Sequence, residues 1–158
     1  MANIKWLTLA ACIGGVLLVG FTSGIATASG MNGWFDTLQK PFFNPPSWVF
    51  GPAWTILYIL MGIGLYMILQ TPVSETRTTA LIIFGVQLTL NFAWSFLFFY
   101  FHRPGIALVE IITLWAFILL MIVQFHKLSP TAGALQLPYL SWVTFATLLN
   151  ASLWYLNR

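Results

Sequence analysis

The 158-residue chain is 59% hydrophobic and 17% aromatic but only 6% charged, whereas a soluble domain carries about 25% charged residues. With a mean hydropathy of +0.89 it lacks the polar surface to cover a water-facing globule, so composition alone describes an integral membrane protein with lipid as solvent. Its net charge of +3 comes from scattered single residues, which excludes the basic stripe of a nucleic-acid binder, and one cysteine with two histidines excludes an internal disulfide and a structural zinc site.

A helical span needs about 20 apolar residues, and the charges leave five stretches that can hold one. The predicted spans are residues 5–27, 47–70, 78–101, 104–126 and 130–156. Breakers agree with these limits. Gly30, Asn32 and Gly33 follow the first span; Pro41, Pro45 and Pro46 precede the second; Thr71 and Pro72 end it; Arg103, Pro104 and Gly105 part the third from the fourth. Ser129 and Pro130 read as N-cap and first residue of the last helix, in which Pro138 is tolerated where neighbouring helices satisfy the freed carbonyl. The apolar runs are continuous and too long for tilted strands, which argues against a β-barrel. The expected fold is therefore all-α: one domain over residues 1–158, a five-transmembrane-helix bundle with a structured loop between its first two helices.

The first span invites two processing readings, a signal-peptidase site at Ala26–Thr27–Ala28 and a lipoprotein box at Leu9–Ala10–Ala11–Cys12. The apolar run is too long for the first and too short ahead of Cys12 for the second, so the helix is expected to be retained. Orientation is not decided: Lys5, Arg77 and Lys127 fall on one side, Lys40, Arg103 and Arg158 on the other.

Function is sought in the polar and aromatic residues that lipid alone would not select. The connection from Trp34 to Pro46 is too aromatic for a solvated linker, and Pro45 and Pro46 make it cheaper to order, so it is expected to cover the bundle. An interfacial aromatic belt is the alternative for Trp34 and Phe35. On the second span Trp54 and Tyr58 are one turn apart and share a face. On the third, Gln87, Asn91 and Ser95 form a polar row that must face protein, water or ligand, with hydrogen bonding that only glues the bundle as the bland reading. About 200° around the same helix, Gly85, Thr89 and Ala93 form a small-residue row suited to close helix contact, and Gly20 and Gly24 repeat the pattern on the first span. The fifth span aligns Tyr139, Trp142, Ala146 and Asn150. With Trp54 and Asn91 opposite, that stripe describes an aromatic slot with few polar anchors, the anatomy of a small-molecule pocket. Catalytic groups are sparse. Glu110 lies about two turns into the fourth span, where an acid is either functional or snorkels to the interface. His102 and His126 sit at membrane boundaries, away from where an axial haem ligand would be needed.

The run Trp34-Phe35-Asp36-x-Leu38-x-Lys40-Pro41-x-x-x-Pro45-Pro46, followed by Trp48, Phe50, Trp54 and Leu57-Tyr58, resembles the translocator protein family, also called tryptophan-rich sensory proteins (TspO). So do, in order, Gln87-Leu88, Leu90-Asn91, Trp94-Ser95, Leu114-Trp115, Leu137-Pro138-Tyr139-Leu140, Trp142, Phe145-Ala146, Leu149-Asn150 and Trp154. The resemblance implies five transmembrane helices, a loop over a pocket, dimers in bacterial members, and binding of porphyrins, sterols and synthetic benzodiazepine-site ligands. It implies residence in a bacterial envelope or a mitochondrial outer membrane. By position, Trp54 and Trp142 resemble the tryptophans implicated in light-dependent porphyrin breakdown, Asn91 a polar ligand contact, and Ala146 the small residue beside the ligand. Leu149, Tyr155 and Arg158 fit a loose sterol pattern that is too weak to assign sterol binding.

The expectation is a membrane receptor for protoporphyrin-type tetrapyrroles, with the porphyrin as ligand and no cofactor required. Ligand contacts are expected from Trp34, Phe35, Lys40 and Pro45 of the loop, Trp54 and Tyr58, Gln87, Asn91 and Trp94, and Tyr139, Trp142 and Ala146. Photo-oxidative breakdown at Trp54 and Trp142 is the enzymatic rival, and transport of tetrapyrroles or sterol-like lipids the third reading. Gly85, Thr89 and Ala93 are the expected homodimer face.

Overall fold

Lipid offers a backbone no hydrogen-bonding partner, so a spanning segment must bond to itself. The long apolar segments are helical in the computed structural model, which describes residues 5–31 and 33–158, and no strand occurs among the described residues. In chain order the helices are α1 Trp6–Met31, α2 Trp34–Thr37, α3 Phe50–Leu69, α4 Glu75–Ser95, α5 Pro104–Leu128, α6 Pro130–Ala134 and α7 Leu137–Leu156. A 3-10 turn, Ser47–Val49, leads into α3, and a wider π turn, Phe96–Tyr100, prolongs α4. Trp6–Met31, Ser47–Leu69, Glu75–Tyr100 and Pro104–Leu128 are long and apolar enough to cross a membrane. The 20-residue α7 is diluted by Ser141, Thr144, Thr147 and Asn150 and falls outside that set.

Local chemistry accounts for most helix ends. Ser74 caps α4 by accepting from the Arg77 amide at 3.2 Å, and Ser129 caps α6 by accepting from the Ala132 amide at 3.3 Å, with Pro130 next as expected. Pro104 opens α5, and His126 and Lys127 lie in its last turn, where positive charge suits the helix dipole.

The structure corrects the predicted spans in three places. Residues 130–156 are not one helix but α6 and α7, broken at Leu135–Gln136. Pro138 has no N–H and its ring would crowd the carbonyl at residue 134, so the helix restarts just before it. Gln136 fills the break, its side-chain amide donating to the Leu60 carbonyl of α3 at 3.2 Å. The first span runs to Met31 rather than 27, because Gly30 is not a stop signal but a close contact: a side chain there would strike the Phe99 carbonyl. Asn32, also read as a breaker, lies outside the described residues. The third span does not run as regular α-helix to 101: it widens into the π turn, closed by Phe101 N–H to Phe96 O at 2.8 Å, which buries Phe98 and Phe99 side by side.

α5 packs between α4 and α7, while α1 lies along α3 and touches α4 and the π turn. The backbones of α3 and α7 make little contact. They meet through rings: Trp54 lies edge-on to Tyr139 at 6.2 Å and to Trp142 at 6.5 Å, and Phe50 to Trp142 at 6.0 Å between centroids.

Candidate functional site

Between α1 and the first half of α3 lies a cavity of about 650 Å³, within the range of small-molecule sites. Small residues make it. α1 presents Gly20, Ser23, Gly24, Thr27 and Ala28 to α3, which answers with Gly51, Trp54, Thr55 and Tyr58; Ser95 of α4 forms part of the floor. Gly20 is needed for contact, since a side chain there would collide with the Tyr58 ring, whereas Gly24 has open space around its α-carbon. Phe21 and Ile25 line the cavity yet are 70% and 59% exposed. The cavity therefore opens on the outer flank of the bundle. Trp54 and Tyr58 stack at 5.6 Å and form its aromatic wall.

Among the described residues, no charged side chain lines the space. Its α1 hydroxyls are turned back on their own helix: Ser23 donates to Gly20 O at 2.9 Å and Thr27 to Ser23 O at 3.2 Å. Behind the wall runs a buried hydrogen-bond chain. Tyr58 Oη donates to Asn91 Oδ1 at 2.6 Å, Asn91 Nδ2 to Tyr139 Oη at 2.9 Å, Tyr139 Oη to Gln87 Oε1 at 3.0 Å, and Gln87 Nε2 to Met61 Sδ at 3.8 Å. Lone polar groups in lipid are costly, and the chain satisfies them pairwise.

The predicted aromatic slot is thus largely closed by its own side chains. Trp54 and Tyr58 face the α1–α3 cavity, but Gln87, Asn91 and Tyr139 bond to one another behind it, the gluing role that was the alternative. Trp94 donates to Asn150 Oδ1 at 3.1 Å, and Asn150 passes its amide to Pro104 O at 2.8 Å. Ala146 does leave a recess beside Trp94, as its size suggested, though of only about 20 Å³. Trp142 packs among Phe50, Trp54 and Phe145, and its indole N–H is buried without a partner.

The loop is ordered but does not reach the cavity with its predicted residues. Phe35 is buried against Phe98 and Phe99. Trp34 stacks on His102 at 4.5 Å, and Lys40 pairs with Asp36 at 3.8 Å over the Phe35 ring. Asn157 and the Gln39 backbone exchange two hydrogen bonds, at 2.9 and 3.0 Å, which ties the loop to the end of α7. Pro45 accepts a bond from Asn44 and stays outside the cavity lining. Gly85 and Thr89 are exposed and Ala93 half-buried, so their row faces outward while Gln87 and Asn91 face in.

Sequence reasoning missed the α1 wall. Its signal was there in the run of Gly20, Ser23, Gly24, Thr27 and Ala28, but small residues in lipid read first as helix packing. Glu110 is half-buried on α5, and neither carboxylate oxygen has a partner among the described residues.

The family model described as TspO/MBR family matches residues 12–156. The chain is 42% identical over 156 residues to the tryptophan-rich protein TspO of Chlorobaculum tepidum, covering 98% of this chain and 99% of that one. It is 37% identical over 153 residues to the translocator protein of Bos taurus, covering 96% and 88%. With the tryptophan-rich sensory protein of Cereibacter sphaeroides it shares 40% identity over 124 residues, 78% and 77% of the two chains.

Proposed function

Because the chain belongs to the TspO/MBR family, we propose that it is a membrane receptor that holds a hydrophobic ligand of the porphyrin type in the α1–α3 cavity. The observation that carries this is the cavity of about 650 Å³ walled by the stacked Trp54 and Tyr58 rings. A flat macrocycle gains from stacking on such a wall. The lining carries no charge, so the propionates of a porphyrin extend through the open flank toward the membrane surface. In this reading α7 is the fifth span and residues 1–158 form one domain, with a homodimer built on the outward α4 row. Titration with protoporphyrin in proteoliposomes, followed by tryptophan quenching, tests it. Trp54→Ala is expected to weaken binding about tenfold; unchanged affinity would overturn the site.

A photochemical reading has one observation in its favour: Trp54 and Trp142 are 6.5 Å apart between ring centroids, within contact of each other. Light-excited porphyrin at the cavity wall takes an electron from Trp54, which Trp142, next in line, refills; the electron passes on to dioxygen, so that tryptophan is oxidised as dioxygen is reduced to superoxide. Under illumination with oxygen, Trp142→Phe then changes the product pattern while leaving dark affinity unaltered. Identical products from the variant or from free tryptophan would reduce the protein to a passive host.

A further inference from the structure

The buried hydrogen-bond chain has a direction, and the direction selects what the cavity can hold. Each hydroxyl carries a single proton. Ser23 spends its proton on Gly20 O at 2.9 Å, and Tyr58 spends its own on Asn91 Oδ1 at 2.6 Å. Ser23 Oγ and Tyr58 Oη also lie within hydrogen-bond distance of each other, at 3.3 Å with either able to donate, and both side chains are buried in the cavity wall. Whichever way that contact runs, both protons stay within the protein, and the pair offers a ligand lone pairs only.

The far end sets this polarity. Gln87 places its amide nitrogen on Met61 Sδ at 3.8 Å, where sulfur is a weak acceptor; the flipped amide would set oxygen against sulfur and bond to nothing there. Gln87 Oε1 is thereby left to accept from Tyr139, which commits Asn91 to donate to Tyr139 and to accept from Tyr58. The protons all point away from the cavity.

We propose that the Ser23–Tyr58 pair is a specificity-determining site that requires a hydrogen-bond donor from the ligand, so the cavity selects lipid-soluble molecules bearing an O–H or N–H over otherwise identical molecules that only accept. The inference rests on the α1–α3 cavity being the ligand site. It also turns an ionised carboxylate away from this wall, which agrees with propionates placed at the open flank. Ser47 and Ser95, also in the lining, carry hydroxyls that serve donor and acceptor alike, so the preference is set at the Ser23–Tyr58 pair. Gln87 is a positioning residue, acting on the ligand only through the chain.

The test uses the full-length protein in phosphatidylcholine vesicles with an ω-bromo fatty alcohol and its methyl ether, each dosed to equal mole fraction in the bilayer. Bromine quenching of Trp54, referenced to a Trp54→Phe variant, reads occupancy. The alcohol is expected to bind about tenfold more tightly than the ether, the worth of one hydrogen bond in a buried site. In Gln87→Leu, Tyr139 loses its acceptor and turns its proton to Asn91, whose amide flips and donates to Tyr58, freeing the Tyr58 proton for the cavity. The preference for the alcohol then falls toward parity, although residue 87 does not line the cavity. Equal binding of the two probes to the unaltered protein would overturn donor selection while keeping the cavity as a site. Quenching by neither would overturn the site itself. A Gln87→Leu variant that folds and keeps the full preference would remove the chain as its cause.

Discussion

The α4–α5–α7 side and the α1–α3 side of the bundle are made of different residues and behave differently. On the first, Ile111, Leu114, Ile118, Met121 and Phe125 of α5 are at most 2% exposed, and Phe125 stacks on Phe84 at 6.1 Å. On the second, the face that α1 turns to α3 offers Gly20, Ser23, Gly24, Thr27 and Ala28, with Leu17, Phe21, Ile25 and Met31 also in the lining, and a ring wall stands opposite with space between. In lipid an apolar surface gains little from leaving one hydrocarbon environment for another, so helices hold together by close packing and hydrogen bonds. The packed side supplies those contacts. The hollow side is held at its margins, where Gly62 of α3 meets the Ile13 backbone and Gly20 meets the Tyr58 ring, and the space between is left unfilled by side chains.

The largest effect that separates the two sides is core truncation. Phe125→Ala is expected to cost about 3–5 kcal/mol, as for other buried phenylalanines, read by detergent-induced unfolding. Leu17→Ala, on the cavity rim, should cost less than half as much; equal losses would mean the hollow side is packed as tightly as the other. The glycine pair sharpens the contrast within α1. Gly20→Leu must displace the Tyr58 ring and with it the Asn91 bond, so it should lower the melting temperature. Gly24→Leu meets no neighbour, fills the cavity, and should reduce protoporphyrin binding at least tenfold with thermal stability kept, the ligand site being blocked rather than unfolded.

Smaller effects are expected on the outer surfaces. Gly85→Leu has open space within the monomer, so its consequence is confined to any partner helix: analytical ultracentrifugation in density-matched detergent should show a weaker dimer with porphyrin binding retained. A dimer unaffected by the change moves the interface off α4. The smallest effect belongs to Lys40→Ala. Its pair with Asp36 spans 3.8 Å between a half-buried lysine and an exposed carboxylate, and such surface pairs contribute about 0–1 kcal/mol. A loss of protoporphyrin affinity in this variant would restore Lys40 to the ligand site.

The amino-acid sequence specifies the solvent, the helical class, the long helices and most of their ends, because the hydrophobic run length and the positions of Ser74, Pro104, Ser129 and Pro130 are local properties. It also determined that Gln87 and Asn91 point inward and Gly85 outward, since helical spacing sets which residues share a face. What those inward groups meet depends on how the helices pack. A buried amide is equally consistent with a ligand and with a protein partner, and here Tyr58 and Tyr139 arrive from other helices to claim Asn91. The break at Leu135–Gln136 likewise depends on a carbonyl of α3 that takes up the Gln136 amide. Small residues on α1 are mute in the same way: Gly20 is a contact and Gly24 is empty space, a difference made by where Tyr58 falls on the neighbouring helix and by nothing in α1 itself.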